Sequence, residues 1–413
     1  MFDLRDHGGK YSNSMPIKYV IDNYEIEDGS TISIGDFVEY VNNGKIRSHS
    51  INDEDWYNEN DLIISPTVYN GEYGAVALDH DRALVIFSGG NQVFAVVCTV
   101  NDKLITYGTP YYITVSVSGL DVKLLDTDKV LAVWNETNAK AVVLIINENV
   151  ISVGTVTSYQ GSLYSNYSKL CILSSNQAIV AGSGANDIYG SILNISGSTI
   201  TAIGRKSLMS GTGAQFTMTR LSTDRAFFVF CNGSSTYSSV LTVNGTSIAS
   251  SSSVYLPIMS ASSIYSYVFA ENKLIVISVY NTTLYITTVS ITNSTTIKVE
   301  TTLTKAFNAT YFNTIQMNNN VIVAVYNYST SYNSFRILVN ESGSVTIKDS
   351  VSLNIVSGTM PKLAIMNDSI ALMLRLDPTA KYLTYSTLKR VYNTKFGIAK
   401  NNGTGGDLIE IYK

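Results

Sequence analysis

A chain of 413 residues has room for two or three average domains, but charged residues make up only 15% and the net charge is −4. The scattered Lys and Arg form no stripe, so no nucleic-acid partner is expected, and no stretch approaches the roughly 20 apolar residues of a membrane span. Tyr supplies 28 residues against 2 Trp, and Ser, Thr and Asn are abundant, a composition that suits pleated strands better than helices.

The first 61 residues carry 13 Asp/Glu against 5 Lys/Arg, whereas 62–395 carry 17 against 21. The two regions therefore have different surfaces, and the acidic end reads as a docking face or as a solvated arm. The opening MFDLRDHGGKYSNS lacks the apolar run of a secretory signal, so the chain is expected to be made in a cytoplasm without a signal peptide. Further on, DGSTISIGDFVEY (28–40) reads as a turn and strand, followed by a second strand turning at Asn42, Asn43 and Gly44.

From Leu78 onward one phrase recurs seven times: a large apolar residue, a polar turn, then a hydrophobic run. The copies begin at Leu78 (LDHDRALVIF), Leu125, Leu173, Leu221, Phe269, Met317 and Met366, at intervals of 47, 48, 48, 48, 48 and 49 residues. Within the second copy, four short Val/Ile/Leu-rich runs are separated by turns, with Asp, Asn, Ser and Gly at the turns, where Asx side chains satisfy local backbone groups. Four antiparallel strands repeated at this period predict an all-β fold, a seven-bladed β-propeller of four-stranded blades.

The seventh copy ends without a fourth strand, but DLIISPTVY (61–69) matches KLITYGTPY (103–111), the fourth strand of the first repeat. Residues 61–69 are therefore expected to complete the last blade and close the ring, which removes open sheet edges. The predicted division is 1–60 and 396–413 as one small β-domain built from both termini, with 61–395 as the propeller. Strand direction places both termini beneath the ring, on the side of the tight Asp/Asn turns.

The opposite face carries the longer, more varied loops, and Tyr recurs there. A phenol offers a flat apolar face and a polar tip at low entropic cost, which suits recognition. The candidate ligand-contacting residues are Tyr112, Tyr164, Tyr167, Asp187, Tyr189, Tyr237, Tyr265, Tyr280, Tyr328 and Tyr332. Asp187 with Tyr189 is the nearest approach to a carbohydrate-binding pair, and equally a plain Asx turn.

Catalysis finds little support. The histidines are His7, His49 and His80, so neither a histidine base nor a zinc cluster can recur in the repeats. Asp79, Asp81, Asp126, Asp128, Asp224 and Asp368 sit in the turns, degenerate to Asn and Ser in other copies, and lack the distal Glu of a calcium loop. Glu136, Asp187 and Asp377 are the visible acids of the loop face, scattered over different repeats. No cofactor, metal or catalytic residue is assigned. Cys98, Cys171 and Cys231 lie in apolar runs without paired spacing and read as buried free thiols. The Asn-x-Ser/Thr sequons at Asn135, Asn166, Asn194, Asn281 and Asn308 read as chance in an Asn/Ser/Thr-rich chain.

The chain ends with FGIAKNNGTGGDLIEIY (396–412), a strand, a glycine-rich turn and a terminal strand. The pairing of GDFVEY with this tail resembles the small β-modules of tailed-bacteriophage structural proteins, and the repeat domain is similar to those of tail-fibre and receptor-binding proteins in phages of low-GC Gram-positive bacteria. The resemblance implies a virion component of tail or baseplate, without enzymatic activity. Residues 1–60 and 396–413, with Asp36, Phe37, Tyr40, Gly397, Gly405, Gly406 and Asp407, would attach it to other virion proteins. The propeller would bind a bacterial surface glycan or protein, as a homo-oligomer or multicopy array. A capsid or tail decoration protein without a ligand, a surface lectin and a carboxylate-dependent glycan hydrolase are the alternatives.

Overall fold

The computed structural model describes residues 56–65 and 72–390, apart from short connections at 90–91, 102–103, 116, 161–166, 185–186, 211–214, 260–262, 310–311, 320, 329–330, 349–350, 357–360, 368–369 and 377–382, and the terminal strands named below. Every regular element among the described residues is a strand. The protein is all-β, and its repeats form a β-propeller arrangement.

The recurring phrase is the first hairpin of each sheet. In the first repeat, Tyr73–Ala77 pairs antiparallel with Arg82–Gly89 around the LDHD turn, and Gln92–Asn101 follows as the third strand. Leu104–Tyr107 and Tyr111–Val115 both pair with that third strand. The same plan recurs in sheets that begin at Ser118–Asp126, Ser168–Ser174, Phe216–Arg220, Ser263–Ala270, Phe312–Asn318 and Lys362–Asn367. These first strands lie side by side in that order, and the one at Lys362–Asn367 packs against Tyr73–Ala77.

The second strands explain the long apolar runs. Both of their faces are covered by neighbouring sheets, so alternation gives way to continuous burial. Ala83, Val85 and Phe87 pack against Ala364, Leu372 and Leu374 of the last repeat, while Leu84 and Ile86 pack against Val122 and Trp134 of the second. Burying each large side chain of this kind stabilises the fold by about 1.5–3 kcal/mol.

The fourth strand is less regular than the repeat predicts. In several sheets it is split into two short pieces, and the break falls where a backbone amide returns to the third strand: Gly108 N to Val97 O, Gly154 N to Val143 O and Ser251 N to Val240 O, at 2.9–3.0 Å. At Gly154 a side chain would strike the neighbouring sheet, since a Cβ there lies 2.4 Å from Ser198 O.

The strand that completes the last sheet starts earlier than 61. Trp56–Ser65 pairs with Leu383–Arg390, from Arg390 opposite Trp56 to Leu383 opposite Ser65. The boundaries expected at 60/61 and 395/396 are corrected accordingly. The compact units are 56–390 on the one hand and 1–55 with 391–413 on the other. The polar WYNEN stretch hid the start of the strand, because edge-strand residues need not be apolar. Residues 66–69 lie outside the described residues.

In the second unit, strands from both chain ends share one sheet. Ile21–Glu25 pairs with Leu408–Tyr412, which pairs with Phe396–Ala399, then Phe37–Tyr40 and Ile46–Ser48. Thr31–Ile32 pairs separately with Gly403–Thr404. Phe37, Tyr40 and Gly397 are in these strands, whereas Asp36, Gly405, Gly406 and Asp407 lie outside the described residues.

Candidate functional site

The first strands of the repeats enclose a cavity of about 610 Å³. Period-two alternation turns every second residue of each first strand toward the next sheet, at the rim of this cavity. One such set stands four residues before each apolar anchor: Gly74, Asp121, Lys169, Thr217, Tyr265, Asn313 and Lys362 all line the cavity. Their separations repeat the 47–49 residue period, so this ring was available in the sequence, in strands rather than in the loops that drew attention.

A first strand has one edge free of ladder partners, and its backbone groups need others. Side chains from neighbouring sheets supply them. Asp121 Oδ2 accepts from Leu170 N at 2.8 Å, Thr219 Oγ1 donates to Ser266 O at 2.7 Å, Tyr265 Oη to Phe312 O at 2.9 Å, Tyr267 Oη to Thr314 O at 2.7 Å, and Asn313 Nδ2 to Pro361 O at 2.6 Å. A glycine at φ 60°, Gly119, and a register shift between Ser118 and Asp121 set the carboxylate in its place.

The charged groups gather on one side. Glu72, Asp121, Lys123, Lys169 and Lys362 come from four consecutive sheets, counting the last next to the first, while Gln215, Thr217, Tyr265, Tyr267 and Asn313 make the other wall. Burial lowers Lys362 below the ordinary lysine range, and repulsion from Lys169 and Lys123 adds to the effect against the attraction of Glu72 and Asp121. Tyr265 and Tyr267 are pushed well above the ordinary phenol range by burial, so they stay neutral.

The tyrosines expected on the loop face are dispersed. Tyr332 is fully buried among Val323, Val325 and Leu353, because Ser331–Val339 is already a strand at that point. Tyr332 is thereby corrected to a core residue. Tyr265 is likewise corrected to a bridge between sheets. Tyr237 stacks on Phe230 with centroids 6.0 Å apart, and Tyr255 meets it edge-on. Tyr280 ends the strand Lys273–Tyr280 and is half-buried. Tyr164, Asp377 and the side chain of Tyr328 lie outside the described residues. Tyr167 borders the cavity and is exposed. Asp187 and Tyr189 do meet, but through each other: Tyr189 Oη donates to Asp187 Oδ2 at 2.7 Å, and the Arg205 guanidinium lies 3.7 Å from the Tyr189 ring centre. The hydrogen bond to Asp187 raises the Tyr189 phenol above its ordinary value.

Exposed aromatic surface concentrates elsewhere, on outer strands. Tyr107, Tyr111 and Tyr112 are each close to half exposed, in or beside the two outer pieces of the first sheet, and Tyr112 is braced edge-on by Phe94. Tyr255 is similarly exposed on Val254–Met259. Sequence reasoning took up Tyr112 but missed Tyr107, whose strand alternation offered a signal.

Among the described residues, Glu136 and Asp79 already have partners. Glu136 Oε1 accepts from both Trp134 Nε1 and Thr114 Oγ1, at 2.8 and 2.7 Å. Asp79, His80 and Asp81 come together in the first turn, but Asp79 already receives Arg82 N at 2.8 Å and Arg82 Nε at 2.7 Å. This is turn chemistry with an added ion pair. Asn135, one of the sequons, is buried. Cys98, Cys171 and Cys231 are buried thiols, and burial pushes the first two up to about 12.

No family model matches the chain, and a search of curated proteins finds no match. Solved structures share its fold. A protein from Lactobacillus plantarum aligns with a TM-score of 0.53 at 12% identity, over 81% of this chain and 97% of its own. The β-propeller domain of Myceliophteria thermophila Cps50 (Swd1) aligns at 0.52 and 9% identity, over 80% and 99%. Aleuria aurantia lectin, crystallised with α-methyl-L-fucoside, is more distant at 0.44 and 15%, over 71% and 100%. At such identities the likeness concerns the fold.

Proposed function

We propose that the protein is a non-catalytic recognition component of a tailed-bacteriophage particle, in the tail or baseplate, that binds a glycan on the bacterial surface. In this reading a seven-bladed propeller, closed by the strand at Trp56–Ser65, is carried on a small β-domain contributed by both termini. The pairing of Phe37–Tyr40 with Phe396–Ala399, and of Ile21–Glu25 with Leu408–Tyr412, supports a single attachment unit and agrees with the resemblance of GDFVEY and its C-terminal partner to virion modules.

The observation that carries the binding reading is the kind of apolar surface left exposed. Tyr107, Tyr111, Tyr112, Tyr167 and Tyr255 dominate it, with only Val150, Val156, Met259 and Leu303 beside them among the described residues. Phenols combine an apolar ring face for a sugar ring with a hydroxyl for its polar edge. The contact surface is the outer edge of the first sheet, where Tyr107, Tyr111 and Tyr112 lie close in sequence. Single contacts of this type are weak, and repeated copies on a particle raise the effective affinity.

Combined Tyr111→Ala and Tyr112→Ala substitution tests the proposal through adsorption to host cells and binding to their purified wall polysaccharide. The expected result is at least a tenfold loss with the fold intact. Unchanged adsorption removes the receptor reading and leaves that of a decoration protein.

A further inference from the structure

We propose that the central cavity is a second, separate binding site, for a small organic anion whose carboxylate or phosphate is held between Lys362 and Lys169. Both lysines belong to the ring of cavity-lining residues, and the positions between them are Gly74, which has no side chain, and Asp121. A Cβ at Gly74 would lie 3.2 Å from Val122 Cγ2, against the second sheet, so this position puts no side chain between the two lysines. Asp121 is already committed to the amide of Leu170 at 2.8 Å. None of the ion pairs between described residues includes Lys169, Lys362 or Lys123.

Three lysines stand against the two carboxylates of Glu72 and Asp121 in this wall, which leaves a surplus of one positive charge. Placing cations in a partly desolvated enclosure costs free energy unless an anion compensates. Burial first and repulsion from Lys169 second lower Lys362, and a bound anion would offset both.

The opposite wall defines the rest of the ligand. Tyr265 and Tyr267 border the cavity with their hydroxyls donating to backbone carbonyls, while Thr217 and Gln215 add polar groups. An anionic head with a hydroxylated ring body matches this division. A cavity of about 610 Å³ falls in the usual range of small-molecule sites, roughly 300–1,000 Å³. The chemistry is that of an acidic monosaccharide or sugar phosphate.

Calorimetric titration of the full chain with D-glucuronate, inorganic phosphate and neutral D-glucose tests this. Saturable binding of glucuronate or phosphate is expected, with glucose at least tenfold weaker. Glucuronate alone would identify a carboxylate site, and phosphate alone a phosphate site. Lys362→Met and Lys169→Gln should each weaken the bound anion at least tenfold, with thermal unfolding reporting that each variant is folded. Should one variant fail to fold, the other decides. The Tyr111→Ala/Tyr112→Ala variant should bind the anion as the native chain does, which separates this site from the outer one. Failure of both anions to saturate, equal binding of glucose, or full retention of affinity in a folded lysine variant overturns the proposal.

Discussion

The guanidinium of Arg225 leaves its own sheet and donates from Nη1 to the carbonyl of Ser294 at 2.8 Å, in the outer turn of the next sheet. Ser294 is held at φ 68°, a conformation that L residues rarely adopt. Arg82 makes the same bond to Glu148, at φ 54°, and Lys273 reaches Glu341 at 2.6 Å. The first residue of a second strand thus ties its sheet to the neighbour through a turn carbonyl. Arg225→Met is expected to cost about 1–2 kcal/mol, since it removes a charge-assisted bond to a backbone acceptor. Denaturant unfolding measures it, and an unchanged midpoint would assign the bond no stabilising role.

Gly154 tests the packing of neighbouring outer strands. Its hydrogen would be replaced by a methyl group 2.4 Å from Ser198 O and 3.0 Å from Val143 O, both backbone atoms that cannot rotate away. Gly154→Ala is expected to destabilise by about 1–3 kcal/mol through forced separation of two sheets. The comparison is Gly197→Ala, where nothing lies within 4 Å and only the positive φ of 61° opposes the substitution.

Asp79 makes stability depend on acid pH. Burial works to raise its carboxyl, yet hydrogen bonds from Asp81 and Arg82 outweigh that and hold it down to about 2, against an ordinary 3.8. The folded state therefore binds this proton less readily than the unfolded chain. The stabilisation is complete above about pH 4 and is lost as pH falls through about 2. Solvent screening limits it to about 1 kcal/mol. Thermal unfolding between pH 5 and pH 2 should show a shallower decline for Asp79→Asn than for the native chain, and parallel curves would refute the assignment.

Cys98 and Cys171 should be unreactive in the folded protein. Only the thiolate attacks alkylating reagents, and burial both blocks access and pushes these thiols up to about 12. Iodoacetamide at pH 8 is expected to leave both unmodified until denaturant is added. Rapid labelling under native conditions would show local opening of the first or third sheet.

Much of the fold was legible because the turn chemistry of the first hairpins repeats without drift from Leu78 to Met366. The splits in the outer strands were not, since a break at Gly154 depends on the carbonyl of Ser198 arriving from another repeat. The early start of the strand at Trp56 was masked by polar residues that pair through backbone alone. Among the tyrosines, composition could not separate Tyr332, sealed between sheets, from Tyr112, half exposed on an outer strand. The cavity ring was legible in principle, yet Asp121, Lys169 and Lys362 become neighbours only once the repeats curve round to face one another.

The pairing of Trp56–Ser65 with Leu383–Arg390 also bears on how the protein is born. Residue 56 leaves the ribosome long before residue 390, so this outer strand waits for the rest of its sheet while the intervening repeats are made. Each finished sheet can collapse on its predecessor as a local event, but the final junction is the most distant contact in the unit and the slowest to find. Until it forms, the nascent chain is an open fan with unprotected apolar faces on its first and last sheets. Chaperone capture and aggregation of this protein should therefore concentrate in that interval.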